Sequence, residues 1–276
     1  MEDFVKHTKD HDDNKSEKAR LTDQHDVMMD AMGGKAIFVP IDLSKPGLRI
    51  LNSGTADGRW LFDLRSTSQA KHEYVGTDID EGLYPEPAPE DMRFQNQSIR
   101  EPFPAEWQES FDLVHQRLVM AAAPPETVLS VVERLASLLK RGAWLQLVEV
   151  DTDAVPGNGP ALKSFLSYAQ QMSAASGMGS NLAKDLAGTM QKVGLQNVEQ
   201  QSIEIMHGFK NEKTGLKQKS MDSLCNAVPP LMQGVKMVLP DQYDEKEAST
   251  LQSRLRKELE ESGGTTKVFV VCGQKA

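Results

Sequence analysis

Eleven residues from Ile50 to Trp60, ILNSGTADGRW, carry the densest chemical signal in the chain. An apolar run ends at Asn52 and Ser53, a turn of small residues follows through Gly54, Thr55, Ala56, Asp57 and Gly58, and a helical pattern opens at Arg59. Glycines let a ligand approach the backbone closely, and a helix start offers free N–H groups. The turn therefore suits a nucleotide-like ligand. Twenty residues past Gly58, the run EYVGTDID brings Asp78 to the end of the next apolar segment. A carboxylate one strand-helix unit beyond a glycine turn is placed to accept ribose hydroxyls, with Asp80 as the alternative acceptor. The turn reads G-x-A-x-G rather than G-x-G-x-x-G, and no Tyr-Lys or His-Arg pair for hydride transfer accompanies it. An adenosine without a pyrophosphate fits this pattern better than a nicotinamide dinucleotide does.

Further candidates sit at the ends of later apolar runs. His115 closes the run FDLVH; with an ordinary pKa of about 6.5 it suits a general base, or it packs against the ligand. His25 is a weaker candidate for the same role. Glu149 and Asp151 end another run, and His207 follows a third. Glu149 and His207 are candidates for recognising the polar group of a second reactant, with a solvated strand end as the ordinary alternative. Met172, Met178, Met190, Met206, Met221, Met232 and Met237 crowd the last third of the chain. Their adaptable side chains suit either a greasy pocket or a helical core.

The elements that must position these groups follow from periodicity. Strand patterns fall at Leu48 to Ser53, Glu73 to Asp78, Met92 to Gln95, Phe111 to His115, Ala143 to Val150, Val198 to Met206 and Thr266 to Cys272. Helical patterns alternate with the first five: Gly58 to Thr67, a short turn at Trp107 to Glu109, and Thr127 to Lys140, where Arg141 and Gly142 read as a C-cap. Alternation of this kind predicts a doubly wound, mostly parallel α/β sheet. Helical stretches at Ala161 to Ser173, Asn181 to Val193, Lys217 to Leu239 (broken at Pro229 and Pro230) and Asp244 to Ser262 predict a helical cap over about residues 157–193 and 208–262. Before the first strand, Lys18 to Met32 has helical spacing and ends at Gly33 and Gly34, predicting a lid helix over 19–34. Residues 1–18 are polar and charged, which predicts a disordered tail ahead of a single domain over 19–276.

Bulk properties narrow the partners. A net charge of −9 over 276 residues disfavours nucleic acid. Two cysteines, Cys225 and Cys272, form no C-x-x-C pair and no zinc-site spacing, so no metal is expected. No apolar run approaches a bilayer's thickness, and the polar N-terminus is not a signal peptide, so a cytoplasmic protein without a membrane anchor is expected.

The strings ILNSGTADGRW, VGTDID, FDLVHQR and LLKRGAWLQLVE together resemble the class I S-adenosylmethionine-dependent methyltransferases. The similarity is to the fungal branch of secondary-metabolite methyltransferases and LaeA-like regulators, whose motifs read LDxGTGTGxW, FDxIHxR and LKPGGWxE. An upstream RLxxQH segment is matched by Arg20, Leu21, Gln24 and His25. The resemblance covers about residues 20–150. It implies a seven-stranded Rossmann-like sheet and S-adenosylmethionine as cofactor. By position, it implies that Ser53, Gly54 and Ala56 line the methionine moiety and that Asp78 holds the ribose. Ile79 would pack on the adenine, Gln97 or Ser98 would reach its amino edge, His115 would border the sulfonium, and Gln24 and His25 would close over the cofactor. Asn52 stands where the branch has an acid, Ala56 where it has the middle glycine, and Arg141 where it has proline. The implied activity is methyl transfer to an oxygen, nitrogen or sulfur of a small molecule. Two alternatives stay open: a rearrangement or cyclisation that uses the cofactor electrostatically, and a regulatory protein acting through partners.

Overall fold

The computed structural model describes residues 11–120, 128–153, 155–175 and 181–276. Seven strands form one sheet: β1 (Arg49–Ser53), β2 (Glu73–Asp78), β3 (Met92–Asn96), β4 (Phe111–Arg117), β5 (Leu139–Asp151), β6 (Gln196–His207) and β7 (Gly264–Gln274), in the order β3-β2-β1-β4-β5-β7-β6. β1 to β5 pair in parallel, while β7 runs antiparallel to both β5 and β6. This is the doubly wound, mostly parallel α/β sheet expected from the alternating pattern. Register puts Asn52 beside His115 and Ser53 beside both Thr77 and Gln116. The carboxyl ends of β1, β2 and β4 therefore share one edge, where a doubly wound sheet binds ligands.

Two helical layers cover the sheet. On one face α1 (His11–Ala31) and α2 (Arg59–Ser66) contribute Val27, Met28, Trp60, Leu61 and Leu64 to a cluster with Ile50, Leu113 and Val148. On the other, α3 (Val128–Ser137) and α5 (Leu182–Lys192) contribute Val131, Val132, Leu135, Leu186 and Met190 to a cluster with Val114, Leu145 and Val271. Four more helices, α4 (Pro160–Ala175), α6 (Thr214–Cys225), α7 (Val228–Val238) and α8 (Glu245–Glu261), build a separate cap core from Leu162, Leu166, Met221, Met232, Leu251, Leu255 and Leu259.

Three local expectations change. The helix read as Thr127 to Lys140 ends at Ser137, and Arg141 and Gly142 lie inside β5 rather than capping a helix. The apolar stripe misleads there because Leu138 and Leu139 are themselves fully buried, so the helix pattern runs unbroken into the strand. Gly142 takes φ 77 and donates to the carbonyl of Lys275, marking an irregularity that shifts the β4–β5 register after Phe111. α5, read from sequence with the cap, packs on the sheet instead, because its buried Leu186 and Met190 meet β5 and β7. Helix α1 starts at His11, seven residues before the first periodic residue; the rest of the expected tail, 1–10, lies outside the described residues. Pro229 and Pro230 open α7 in its first turn, where a missing N–H costs nothing, and so divide it from α6.

Candidate functional site

The glycine turn folds as the strand end dictates. After Ser53 the chain reverses with Gly54 at φ 69 and Ala56 at φ 49, and Gly58 at φ 76 caps α2. A Cβ at Gly54 would stand 2.1 Å from Val119 Cγ2, so only glycine admits the loop after β4 this close. The left-handed backbone at Ala56 aims its N–H at Asp78 Oδ2, 2.9 Å away, while Asp80 N–H donates to Oδ1 at 3.1 Å. Asn52 is buried and gives its amide to Thr55 Oγ1 at 3.0 Å, bracing the turn. Burial pushes the Asp78 carboxyl above its ordinary range, and the backbone N–H bonds oppose that shift.

Above this turn lies a polar cavity of about 340 Å³, lined by Gln24, His25, Asn52, Gly54, Ala56, Asp78, Ile79, His115 and Arg117 among others. Among the residues singled out from sequence, Gln24, His25, Asn52, Gly54, Ala56, Asp78, its alternative Asp80, Ile79 and His115 therefore meet here. Ile79 is 37% exposed, unusual for so apolar a side chain at a strand end, and offers a flat greasy contact. Ser53 and Gly58 sit just behind the lining: Ser53 gives its hydroxyl to Gln116 Oε1 at 3.0 Å. Gln97 turns its amide to the carbonyls of Ser98 and Pro102 at 3.0 and 3.2 Å, and neither Gln97 nor Ser98 lines the cavity.

His115 is fully buried and stacks on Trp60 with ring centroids 4.0 Å apart. Its protonation follows from Gln146. That amide oxygen accepts the N–H of Phe38 at 2.8 Å, so the amide nitrogen must donate, to the carbonyl of Ala36 at 3.0 Å and to His115 Nδ1 at 3.2 Å. Nδ1 is then the bare nitrogen and Nε2 carries the hydrogen. Nε2 has no protein partner among the described residues, and burial holds the imidazole pKa well below its ordinary value. His115 is thus a neutral hydrogen-bond donor rather than a proton acceptor.

Sequence reasoning passed over Arg117, two residues beyond His115 on the same strand face. Its Nη2 donates to His25 Nδ1 at 3.0 Å, and His25 Nε2 donates in turn to Asp63 Oδ2 at 2.8 Å. The available signal was its place at the end of FDLVHQR, matching the arginine of the FDxIHxR motif.

A second cavity of about 530 Å³ lies between the sheet edge and the cap, walled by apolar side chains of β5, α4 and α7, including Phe165, Met172, Leu231 and Met237. Gln24 and Leu118 line both cavities and form the partition between them. Glu149 is the cavity's buried carboxylate. Its Oε1 accepts the N–H groups of Val119 and Met120 at 3.0 and 2.8 Å, fixing the loop after β4, and burial pushes its pKa up to about 7. His207 lies elsewhere, wedged between the Ser220 carbonyl and Thr266 Oγ1 at 3.1 and 2.7 Å, its pKa lowered by burial to about 4. It lines a small cavity of about 120 Å³ that also touches Gln24 and Leu118. Of the seven methionines, Met172 and Met237 face the second cavity; Met190, Met221 and Met232 are core, Met206 is surface, and Met178 lies outside the described residues.

Helix α1 is tied to the glycine turn on one side and to the α6 region on the other. Thr22 Oγ1 donates to Asp57 Oδ2 at 3.1 Å, Lys219 of α6 pairs with Asp26 and, at 3.7 Å, with Asp23, and Lys213 pairs with Asp30. Among the described residues no helix is long and apolar enough to cross a membrane, and no cluster of three or more His, Cys, Asp or Glu is placed to hold a metal ion.

Comparison with known proteins follows the same lines. The family model described as "Methyltransferase domain" matches residues 31–200. The chain is 34% identical over 247 residues to the methyltransferase psoC of Aspergillus fumigatus, covering 90% of each chain. It is 35% identical over 269 residues to the N-methyltransferase sirN of Leptosphaeria maculans, covering 96% of this chain and 93% of that one. The N-methyltransferase tcpN of Claviceps purpurea is 31% identical over 267 residues, with 94% of each covered. Among solved structures, the Haemonchus contortus phosphoethanolamine N-methyltransferase 2 complex with phosphomonomethylethanolamine and S-adenosylhomocysteine superposes with TM-score 0.57 at 13% identity. That match covers 99% of this chain, which spans 60% of that longer protein's length, and at such identity the likeness shows the shared fold.

Proposed function

The chain belongs to the methyltransferase-domain family and is an S-adenosylmethionine-dependent enzyme that methylates a small molecule, and from that premise we propose that its acceptor is an apolar secondary metabolite methylated on nitrogen. One observation carries this reading: a greasy cavity with a single buried carboxylate abuts the polar cavity across a partition of two side chains. The names of the relatives sirN and tcpN, both N-methyltransferases, support nitrogen over oxygen or sulfur.

The polar cavity fits the cofactor on its own chemistry. Asp78 supplies a carboxylate for ribose hydroxyls, Ile79 an exposed apolar face for the adenine, and the Gly54–Ala56 turn close backbone for the methionine chain. His115 adds a buried Nε2–H that has no protein acceptor among the described residues. When bound there, S-adenosylmethionine supplies a methyl group activated on a sulfonium. The protein's part is then chiefly positioning, because displacement at an activated carbon needs aligned reactants more than it needs acid or base. Leu118 and Gln24 stand where the two reactants meet, and Leu118 is held at φ 57 by the loop that Glu149 anchors.

A nitrogen that exchanges hydrogen for methyl must shed a proton, and Glu149 is the group in the apolar cavity able to take it. Its Oε1 is committed to backbone, which leaves Oε2 for the acceptor, and a pKa of about 7 suits a general base at neutral pH. The same carboxylate orients the acceptor's N–H, giving an otherwise greasy pocket its one polar reference point. The buried thiols Cys225 and Cys272 accord with a reducing, cytoplasmic setting.

The test is methylation of matched apolar compounds that differ only in offering N–H, O–H or S–H, read by mass spectrometry. Methyl uptake on the N–H member is expected; uptake confined to the O–H or S–H member would sink the nitrogen assignment.

A further inference from the structure

Three arginines line the polar cavity, and they are not equivalent. Arg20 is paired with Glu17 through two hydrogen bonds of 2.9 and 2.8 Å, and Arg59 sits between Asp26 and Asp63 at 3.8 and 3.7 Å. Arg117 makes no ion pair among the described residues; its hydrogen bond goes to an imidazole. That imidazole is neutral. Asp63 fixes the hydrogen on His25 Nε2, so Nδ1 presents a lone pair to the guanidinium, while burial and the neighbouring Arg117 charge both lower the His25 pKa. Asp63 thus orients the chain of contacts without pairing directly with Arg117. Asn52, next to β4 on β1, is neutral and committed to Thr55, so it supplies no countercharge either. Burial presses the guanidinium toward its neutral form, down to about 10, although Asp57 and Asp63 oppose this from a distance.

A desolvated cation without a carboxylate partner is costly unless a ligand completes it. Arg117 ends β4 and Asp78 ends β2, with β1 between them. Strand spacing separates two such positions by roughly 10 Å, a span bridged by a ribose carrying a four-carbon amino-acid chain. The cavity is therefore polar in a directed sense: an acceptor of hydroxyls at one end and, at the other, a planar donor with no carboxylate partner among the described residues.

We propose that Arg117 is the anchor for the α-carboxylate of the cofactor's amino-acid end, held in place by His25 and Asp63 as positioning residues. Guanidinium and carboxylate match as planar bidentate partners, and enclosure strengthens the pair. Because His25 belongs to the lid helix, the carboxylate would be read where lid and sheet edge meet.

The test is calorimetric titration of the full chain with S-adenosylhomocysteine, its decarboxylated analogue, and 5′-methylthioadenosine. The last ligand carries only the nucleoside half, so its binding reports the Asp78 end separately. The wild type is expected to favour S-adenosylhomocysteine over the decarboxylated analogue by at least about 30-fold. Arg117→Met should erase that preference while binding the analogue and 5′-methylthioadenosine as the wild type does. Asp63→Asn should shrink the preference several-fold, and Arg254→Met, on the far helix α8 where Arg254 pairs with Glu247, should leave it intact. If Arg117→Met does not fold, Arg117→Lys is expected to keep only part of the preference. Equal wild-type affinity for the two ligands, an unchanged preference in the Arg117 variant, or its loss in Arg254→Met would overturn the assignment.

Discussion

The two cavities that share Gln24 and Leu118 are built in opposite ways. The polar one takes most of its lining from three short stretches at the ends of β1, β2 and β4, and Asn52, Asp78, Arg117 and His25 in it are held by hydrogen bonds to neighbouring groups. The apolar one is assembled from β5, α4, α5 and α7, and its single buried charge is Glu149. Hydrogen-bonded constellations tolerate few substitutions, since each lost partner strands another buried group. Greasy walls tolerate many, provided volume is kept. The contrast makes the polar cavity the less tolerant of substitution and the apolar one the more tolerant.

The largest expected effect lies in the polar cavity. Asp78→Ala removes both the ribose acceptor and the acceptor for Ala56 N–H, and two lost charge-assisted bonds weaken S-adenosylhomocysteine about 100-fold or more by calorimetry. Binding of an apolar fluorescent dye to the second cavity should be unchanged. Loss of both together would mean that the cavities are one site and the contrast is false.

Next comes Glu149→Gln, which keeps an oxygen for the Val119 and Met120 N–H groups but accepts no proton. The wild-type rate is expected to rise with pH through about 7 as the carboxylate forms, and the variant should lose that limb and 10- to 100-fold in kcat. Stability should move the other way. The folded pKa lies above the ordinary 4.5, so folding favours the protonated form; stability is full below 4.5 and falls as pH rises to about 7. Above that range the carboxylate costs on the order of 3 kcal/mol. Glu149→Gln should accordingly melt higher than the wild type at pH 8 and close to it at pH 4. A pH limb that survives in the variant would remove Glu149 as the base.

The same contrast governs what could be read from sequence. Gly54, Ala56, Asp78 and His115 were legible because a strand-turn-helix unit and its neighbours fix them at short spacings, and the mostly parallel character of the sheet followed from alternation. The chemistry of His115 was not, because its tautomer depends on Gln146, Phe38 and Ala36, which no local pattern links. Arg117 was hidden by its neighbours: an arginine at a strand end reads as solvated until His25, some ninety residues earlier, is seen against it. The walls of the acceptor cavity are ordinary helical leucines and methionines, and only packing separates Met172, which faces the cavity, from Met190, which is core.

Smaller effects probe the two walls individually. Ala56 holds φ 49, a left-handed conformation that costs a residue with a Cβ about 1 kcal/mol. Ala56→Gly should relieve it, raising the melting temperature by a few degrees and tightening S-adenosylhomocysteine up to several-fold. Weaker binding would show that the methyl group itself contacts the ligand.

Gly234→Ala is the mildest probe and the most selective. The residue lies within α7 on the wall of the apolar cavity, where glycine in a helix costs about 1 kcal/mol relative to alanine. The new Cβ would stand 3.2 Å from Met172 Cε, close enough that the methionine must shift. A thioether with three rotatable bonds can do so, and the direction open to it is the cavity. The variant should therefore be slightly more stable, with a melting temperature higher by roughly 2–4 °C. It should also raise KM for a bulky acceptor a few-fold while the Kd for S-adenosylhomocysteine stays fixed. A change in that Kd would mean that strain crosses the Gln24–Leu118 partition, and the two cavities would then have to be treated as one mechanical unit.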